Sequence, residues 1–349
     1  MKKIVVAGGG VLGSQIAFQA AYCGFDVTIW LRSQGSIGRT QPKLDHLKTV
    51  YTKTIEKMAT PEGQTPATWA RGIADYESFD KDACLAAVER AYTGLKLELD
   101  MKKAVEDADL VIESMAEDIR QKDAFYTALA PLLPEKTVIV TNSSTLLPSK
   151  LAKFTGRPEK FLSLHFANSI WKNNTAEIMA QPKTDAKYFD LIMDFAKEIR
   201  MIPLPVRKEK AGYLLNSMLI PLLFSGMDLY VNGISDPESI DKAWTLGTGS
   251  PKGPFQILDT VGLTTAYNIV QMYVKIPSFL APYNFKGMSK MLKEYIDEGK
   301  VGMSSGEVCY KYKEEIRKRR KTNGAIRCIH RMALFRLFSP GVPDRIFAP

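Results

Sequence analysis

A glycine-rich turn close to the amino terminus constrains the fold of this chain more than any other feature. The apolar run Lys2–Ala7 reads as a buried strand and leads straight into the sequence GGGVLG. Val11–Cys23 then has the composition of an apolar helix closed by a glycine, and Asp26–Leu31 that of a second strand. Glycines between a strand and a helix permit a tight bend, close approach to an anion and tight packing. The segment therefore predicts a β-α-β unit that binds a dinucleotide pyrophosphate through Gly8, Gly10, Val11, Leu12 and Gly13.

The size and composition of the chain indicate a globular protein of more than one domain. It has 349 residues, of which 45% are hydrophobic, so it can bury two cores. No apolar run approaches the roughly 20 residues of a membrane span, so we expect no membrane partner. The four cysteines show no paired spacing, which predicts reduced thiols, a cytoplasmic location and no metal site.

Positive charge is concentrated at the carboxyl terminus. The net charge is +9, and Lys311–Pro349 alone contributes +8 from eleven Lys/Arg and three Asp/Glu. The basic isoelectric point therefore describes this segment rather than the body of the protein. Such a segment can bind nucleic acid or an anionic membrane, but a block of like charge is most often a solvated extension. We interpret residues 313–349 as a basic tail and expect no nucleic-acid partner.

Strand-like and helix-like segments alternate as far as Val206. A polar stretch over residues 34–92 interrupts them and carries helical patterns at Leu44–Met58 and Asp80–Ala91. The alternation predicts a parallel sheet covered on both faces, so residues 1–206 are interpreted as a dinucleotide-binding domain with a helical insertion. The predicted later strands are Leu95–Leu99, Leu110–Glu113, Thr137–Thr141, Phe161–Phe166, Ala176–Met179 and Ile202–Val206.

The pattern becomes purely helical after Val206. Residues 207–312 are therefore predicted to form a helical substrate and dimerisation domain, because its apolar helices suit a dimer interface. The predicted helices are Ala211–Val231, Pro237–Thr245, Thr264–Tyr273 and Met288–Glu298. The fold class is an α/β Rossmann-type doubly wound domain followed by an all-α C-terminal domain.

Polar residues at strand ends indicate a candidate catalytic site. His165 ends an apolar strand, the turn Thr141–Leu146 follows the preceding strand, and Glu177 lies on the next one. An imidazole beside a buried carboxylate acts as a general base, and a serine hydroxyl beside it can bind a substrate oxygen. Each residue also has a structural alternative: a satisfied core histidine, a helix-capping serine and, for Asn216 within an apolar helix, a helix–helix hydrogen bond.

These segments together resemble the short-chain L-3-hydroxyacyl-CoA dehydrogenases, of the 3-hydroxybutyryl-CoA dehydrogenase type. The resemblance runs from Lys2 to about Tyr312 and rests on six motifs in family order. They are GGGVLG, DLVIESMAEDIRQK, TNSSTL, LHFAN with Glu177 behind it, AGYLLNSMLIP and LGTGSPKGPFQILDTVGL. The resemblance implies interconversion of (S)-3-hydroxyacyl-CoA and 3-oxoacyl-CoA by hydride transfer to or from a nicotinamide cofactor. It also implies an acyl-CoA substrate and a homodimer.

The resemblance further implies a role for individual residues. His165 resembles the base that takes the hydroxyl proton, and Glu177 resembles its orienting partner. Ser144 and Asn216 resemble the catalytic residues that bind the substrate oxygen. The positions on the cofactor side are Glu117, Lys122, Asn142 and Asn168.

Several positions depart from the family pattern. Ser169 stands where the family usually has proline, and the unusual run IWKNN follows it; Ser304 replaces a frequent lysine. Lys53 and Lys57 are candidates for contacts with CoA, although a solvated helix face is the more common reason for such lysines. A dehydrogenase of a free hydroxy acid and a non-catalytic dinucleotide-binding protein therefore remain alternatives. The pair His165-Phe166, where free-acid enzymes usually have His-Pro, favours the acyl-CoA substrate.

The end of the second predicted strand bears on the choice of cofactor. Leu31 occupies the position where the family typically has an aspartate that binds the adenosine ribose. Arg32 can pair with a 2′-phosphate and stack on adenine, and Ser33 can donate a hydrogen bond to that phosphate. The cofactor prediction is therefore NAD(P), with NADP(H) favoured. The alternative is an exposed arginine with a relaxed choice of cofactor.

Overall fold

The chain folds into two compact units. The computed structural model describes residues 1–302, 305, 309 and 310. The first unit is Met1–Ser217, and the second begins at Met218. Ser304 and the predicted tail over residues 313–349 lie outside the described residues. No helix in the described part of the chain is long and apolar enough to cross a membrane.

The first unit is built on one sheet of eight strands, and the predicted Rossmann-type fold is confirmed. The strand order is β3-β2-β1-β4-β5-β6-β7-β8, so the direction of winding reverses between β1 and β4. Ligands of doubly wound sheets bind at such a reversal, beyond the carboxyl ends of the strands. The strands are β1 (Lys3–Ala7), β2 (Asp26–Trp30), β3 (Lys96–Glu98), β4 (Leu110–Glu113), β5 (Val138–Thr141), β6 (Phe161–Phe166), β7 (Thr175–Ala180) and β8 (Ile202–Val206).

Helices cover both faces of this sheet. In β1, Ile4 and Val6 belong to one apolar cluster, whereas Val5 and Ala7 belong to the other. Successive side chains of a strand point to opposite faces, so the two clusters are the cores on either side. The helices of this unit are α1 (Val11–Tyr22), α2 (Gln34–Met58), α3 (Lys81–Gly94), α4 (Met101–Val105), α5 (Ile119–Leu129), α6 (Pro148–Leu151) and α7 (Ala186–Glu198).

The sheet is parallel, as predicted, except at β7, which runs antiparallel to β6. The connection from Phe166 to Thr175 is too short for the dozen or more residues that a parallel crossover requires. The antiparallel register places His165 directly opposite Glu177. The reversal therefore brings together two residues that the sequence predicts to cooperate.

The first helix of the insertion begins earlier than predicted. Helix α2 starts at Gln34, ahead of the expected Leu44, and contains Pro42 in its interior. Two glycines and this proline conceal the helical pattern, because all three residue types disfavour a helix interior. The structure also contains α7, which the sequence analysis did not predict. The early start matters, because it places the beginning of a long helix beside the end of β2.

The second unit is helical, as predicted. Helix α8 (Leu215–Val231) starts four residues later than the expected Ala211 and passes from the first unit into the second. The unit's apolar core includes Phe224, Phe255 and Leu292. Its remaining helices are α9 (Pro237–Thr248), α10 (Pro254–Val261), α11 (Leu263–Gln271) and α12 (Phe285–Asp297), of which α10 was not predicted.

One buried glutamine joins several elements of the first unit. The Gln19 amide on α1 is fully buried, and its Nε2 donates to the carbonyls of Gly72 and Ile199 at 2.8 and 3.0 Å. Its Oε1 accepts a hydrogen bond from the Tyr51 hydroxyl of α2 at 2.5 Å. A single side chain thus satisfies polar groups from α2, from the loop around Gly72 and from the end of α7, where water has no access.

Replacing Gln19 with leucine should destabilise the protein, because three buried polar groups lose their partner. We expect the Gln19→Leu variant to lose about 2–4 kcal/mol of unfolding free energy, measured by urea denaturation. Gln64→Leu is the matched control, because Gln64 is exposed, and its effect should stay within about 0.5 kcal/mol. Equal stability of the two variants would contradict a structural role for Gln19.

Candidate active site

Three side chains from neighbouring strand ends form one hydrogen-bonded chain. The Nδ1 atom of His165, at the end of β6, lies 2.9 Å from Oε2 of Glu177 on β7. Its Nε2 atom lies 3.2 Å from the Ser144 hydroxyl, in the turn that follows β5. His165 and Glu177 are buried, whereas Ser144 is half-buried. The structure therefore brings together three of the four predicted catalytic residues.

The Glu177 carboxylate uses both of its oxygens. Its Oε1 accepts hydrogen bonds from the backbone N–H groups of Leu214 and Leu215 at 2.8 and 2.9 Å, where α8 begins. Burial opposes its charge, but the bonds from His165 and from these two N–H groups lower the pKa of Glu177 below its ordinary value. Glu177 is therefore an anion that both orients His165 and caps the positive end of α8.

The contacts of His165 determine which ring nitrogen is free to accept a proton. An ionised carboxylate only accepts hydrogen bonds, so the Nδ1 atom facing Glu177 carries the hydrogen. Nε2 then holds the lone pair, and it faces the Ser144 hydroxyl. This tautomer is chemically able to act as a general base, and its partner hydroxyl can bind an oxygen of a second molecule.

A tyrosine that the sequence analysis missed completes the surroundings of the imidazole. The Tyr213 ring stacks on His165 with a centroid separation of 4.4 Å and an interplanar angle of 12°. Its hydroxyl donates to the Ser143 carbonyl at 2.7 Å. Burial raises the pKa of Tyr213 well above its ordinary value, so the phenol stays neutral. The predicted fourth residue, Asn216, lies half-buried in the first turn of α8, three residues after Tyr213.

A cleft of about 590 Å³ opens at the reversal between β1 and β4, and it includes Ser144 in its lining. The space in front of Gly10 is open, because a Cβ atom at this position would meet no other atom within 4 Å. The first N–H groups of α1 have no partners within the helix and can bind an anion there. These features fit a dinucleotide. The lining residues are Gly8, Gly9, Gly10, Val11, Leu12, Gly13, Trp30, Leu31, Arg32, Ser36, Arg39, Thr40, Lys43, Ser114, Met115, Ala116, Glu117, Gln121, Asn142 and Ser144.

The shape of the glycine turn depends on close backbone contacts. A Cβ atom at Gly13 would lie 2.1 Å from the Gly8 carbonyl oxygen, and one at Gly9 would lie 2.1 Å from the Thr40 hydroxyl oxygen. Neither distance is sterically possible, so α1 and α2 can approach the turn only because both positions lack a side chain. Gly9 is a requirement that the sequence motif did not reveal.

Glu117 lines the cleft, whereas Lys122 is buried behind its wall. The Glu117 carboxylate lines the cleft and accepts bonds from the hydroxyls of Ser143 and Thr145 at 2.5 and 2.8 Å. Burial opposes its charge, but these donors lower the pKa of Glu117. Lys122 does not line the cleft: it is buried, and its Nζ lies 2.5 Å from Glu113 and 3.6 Å from Glu117. Its ammonium group therefore stabilises the cleft wall rather than presenting itself to a cofactor.

The two predicted asparagines also differ in their placement. Asn142 lines the cleft, and its Oδ1 accepts a hydrogen bond from the Phe166 N–H at 3.1 Å, which ties β5 to the residue after His165. Asn168 lies outside the lining, and its carbonyl accepts a bond from Asn173 at 2.8 Å within the IWKNN turn. Its side chain is exposed on that turn.

The end of the cleft beside β2 is lined by cations from α2. Leu31 is buried there, and the next residue, Arg32, is exposed. Arg39 and Lys43 line the same end, one helical turn apart, and the Arg39 guanidinium donates to the Ser36 hydroxyl at 3.0 Å. The sequence pattern does not indicate these residues, because glycines and Pro42 hide the start of the helix that carries them. Ser33 lies outside the lining, where its hydroxyl bonds to that of Ser36 at 3.0 Å.

The two predicted CoA contacts lie farther along α2. Lys53 and Lys57 are both exposed on this helix and lie outside the cleft lining. Contact of these two lysines with CoA therefore stays a prediction.

The lowered pKa of Glu177 predicts a pH-dependent contribution to stability. A carboxylate with a lower pKa in the folded state stabilises the protein above its unfolded pKa of about 4.3, and this stabilisation is lost as the pH falls through the folded value. The Glu177→Gln variant should therefore lose about 2–3 kcal/mol of unfolding free energy at pH 7. It should also show a flatter decline in stability below about pH 5 than the unmodified protein.

The measurement is urea unfolding over a series of pH values. Glu77→Gln provides the matched control, because Glu77 is exposed in the same unit. If the two variants had the same stability at every pH, the buried contacts of Glu177 would contribute nothing.

Family models match nearly the whole described chain. Residues 3–210 match 3-hydroxyacyl-CoA dehydrogenase, NAD binding domain, and residues 212–312 match 3-hydroxyacyl-CoA dehydrogenase, C-terminal domain. The boundary between the two matches lies close to the predicted one at residues 206–207. The structural division at Ser217 falls slightly later, because Tyr213–Leu215 contact the His165 cluster.

Individual relatives support the same family. The human mitochondrial hydroxyacyl-coenzyme A dehydrogenase is 29% identical over 313 residues, which cover 90% of this chain and 92% of that protein. The 3-hydroxybutyryl-CoA dehydrogenase of Clostridioides difficile is 30% identical over 270 residues, covering 77% and 86%. A solved structure described as "Substrate-directed dual catalysis of dicarbonyl compounds by diketoreductase" is 44% identical, with a TM-score of 0.76 and coverage of 89% and 99%. The chain is a member of the 3-hydroxyacyl-CoA dehydrogenase family.

Proposed function

We propose that this protein interconverts (S)-3-hydroxyacyl-CoA and 3-oxoacyl-CoA with a nicotinamide cofactor, and that His165 is its acid and base. The observation that carries the proposal is the hydrogen-bonded chain from Ser144 through His165 to Glu177. Its first member, Ser144, lines a cleft that fits a dinucleotide. A protein that only binds a dinucleotide has no need of an oriented base at that position.

His165 moves the proton of the reaction. In the oxidative direction its Nε2 removes the hydrogen of the substrate's 3-hydroxyl as the C3–H bond breaks, and the cofactor, when bound, supplies the hydride acceptor. The resulting imidazolium is stabilised by Glu177 on Nδ1. In the reductive direction this imidazolium returns the proton to the 3-oxo oxygen.

Ser144 and Asn216 bind the reacting oxygen in this proposal. The Ser144 hydroxyl already lies beside Nε2, so an oxygen that receives its hydrogen bond is also within reach of the base. Donors placed where negative charge develops lower the barrier, because they need no reorganisation during the reaction. Asn216 can add a second donor from the first turn of α8.

The cofactor contacts come from residues that line the cleft. Gly10 and the first N–H groups of α1 hold the pyrophosphate in this proposal. Glu117 and Asn142 form the wall near Ser144, where the nicotinamide end belongs. Lys122 acts indirectly, since its ammonium group holds Glu113 and Glu117 in place.

The charge at the other end of the cleft favours NADP(H). Leu31 offers no carboxylate to a ribose hydroxyl and does not repel a phosphate. Arg32, Arg39 and Lys43 line this end, and the first turn of α2 contains no acidic residue. Cations beside the positive end of a helix suit a 2′-phosphate.

A second candidate function is the reduction of a dicarbonyl compound without CoA. It is favoured by the 44% identity to the diketoreductase structure, which exceeds the 30% identity to the Clostridioides difficile enzyme. The same base and oxygen ligands serve this reaction, because its reacting group is also a ketone. Comparing kcat/KM for acetoacetyl-CoA with that for a dicarbonyl compound that lacks CoA distinguishes the two functions.

The surroundings of the enzyme are part of the proposal. The free thiols of Cys23, Cys84 and Cys309 suit a reducing compartment such as the cytoplasm. Exposed apolar side chains in the helical unit, including Leu246 and Met272, suit a homodimer interface. Lys53 and Lys57 are proposed to contact the phosphates of CoA.

Replacing His165 tests the proposed acid and base. The His165→Gln variant should lose about 10²–10⁴-fold in kcat for reduction of acetoacetyl-CoA. The glutamine amide cannot give the 3-oxo oxygen the proton that the imidazolium of His165 supplies. Its dissociation constant for the reduced cofactor should change less than about two-fold, since the ring lies outside the cleft lining. His46→Gln, at an exposed position on α2, is the matched control and should keep full activity. Full activity in His165→Gln would remove this residue from the mechanism.

Replacing Arg32 tests the choice of cofactor. The Arg32→Ala variant should raise KM for NADPH about ten-fold, as expected for one lost charge-assisted bond, and KM for NADH less than about two-fold. Arg90→Ala, at an exposed position on α3 outside the cleft lining, is the matched control. Equal changes in KM for NADPH and NADH would show that Arg32 does not bind the 2′-phosphate.

A further inference from the structure

Tyr213 lies at the centre of the His165 cluster, although the mechanism above gives it no role. It is buried, with 1% of its surface exposed. Its ring covers one face of the imidazole at a centroid separation of 4.4 Å, nearly parallel to it. Its hydroxyl donates to the Ser143 carbonyl at 2.7 Å, at the peptide that leads into Ser144. One side chain therefore contacts both the base and the backbone that positions the serine hydroxyl.

The residues that follow Tyr213 contact the third member of the cluster. The N–H groups of Leu214 and Leu215 donate to Oε1 of Glu177. Asn216, the proposed second ligand of the substrate oxygen, comes next in the chain. Of these four consecutive residues, three contact His165 or Glu177, and the fourth is the proposed ligand of the substrate oxygen.

The backbone of this segment is held in an unfavourable conformation. Tyr213 has a φ of 51°, in the left-handed region that residues with a side chain rarely adopt, and it follows Gly212 with a φ of 81°. Such a conformation persists only where surrounding contacts outweigh its cost. Here those contacts are the stacked ring and the three hydrogen bonds, which all lead to the His165 cluster.

We propose that Tyr213 is a positioning residue whose ring face stabilises the imidazolium form of His165 and whose hydroxyl fixes the Ser143–Ser144 peptide. An aromatic face is negative, so it attracts an imidazolium more than a neutral imidazole. The groups in contact with the imidazole are Glu177 on β7, Ser144 after β5 and Tyr213 before α8. Glu177 supplies the negative charge in the ring plane, and Tyr213 supplies the attraction over the ring face.

The test separates the ring face from the hydroxyl while keeping the shape of the side chain. Tyr213→Phe keeps the stacked ring and removes the bond to Ser143. Pentafluorophenylalanine in place of Tyr213 has nearly the same shape, but fluorination reverses the charge of the ring face. The titration of His165 is followed by ¹⁵N nuclear magnetic resonance, which is practical because the chain has three histidines. The His165→Gln variant assigns the signal.

The titration midpoint of His165 in Tyr213→Phe should match that of the unmodified protein. In the fluorinated protein it should fall by about 0.5–1 pH unit, as expected when a buried cation–π contact is lost. The acidic limb of the pH profile of kcat/KM for oxidation should shift by the same amount. The loss of the Ser143 bond should lower kcat of Tyr213→Phe about three- to ten-fold, with a smaller change in KM.

Equal titration midpoints in the phenylalanine and pentafluorophenylalanine proteins would overturn the inference. Thermal unfolding and the cofactor dissociation constant serve as controls, because a merely structural role would change these and leave the difference in midpoint at zero. The inference rests on the proposed function for its catalytic meaning. The resonance measurement needs no turnover, so it can succeed or fail independently of whether the protein oxidises a 3-hydroxyacyl-CoA.

Discussion

The site depends on the Glu177 carboxylate, which bonds to His165 with one oxygen and to the start of α8 with the other. Burial alone would favour the neutral acid, and these donors reverse that preference. The anion in turn sets the tautomer of His165 and so leaves Nε2 free to face Ser144. The antiparallel pairing of β6 with β7 makes this possible, because it places the two residues directly opposite each other.

The cleft that fits the cofactor also depends on buried contacts. The glycine turn leaves open space in front of Gly10 and permits close packing at Gly9 and Gly13. Behind the cleft wall, Lys122 neutralises Glu113 in a buried ion pair. Breaking such a pair by removing one partner leaves an uncompensated buried charge, which is strongly destabilising. The pair therefore gives the wall rigidity without needing to touch a cofactor.

Local patterns predicted the fold class and three members of the site, because strand ends meet at one edge of a doubly wound sheet. Other features depend on contacts that no local pattern records. The direction of β7 follows from a short connection, and Pro42 concealed the start of α2, with the cations that it brings to the cleft. Tyr213 could not be predicted, since its left-handed backbone and its stack on His165 arise only in the folded chain.

If Glu177 acts only through His165, the two residues form one catalytic unit, and a double-mutant cycle reveals this. The measurement is kcat for reduction of acetoacetyl-CoA by Glu177→Gln, His165→Gln and the double variant. Residues that act as a unit give strongly non-additive losses. We expect Glu177→Gln to cause no further loss once His165 has been replaced. Losses that simply multiply in the double variant would contradict it.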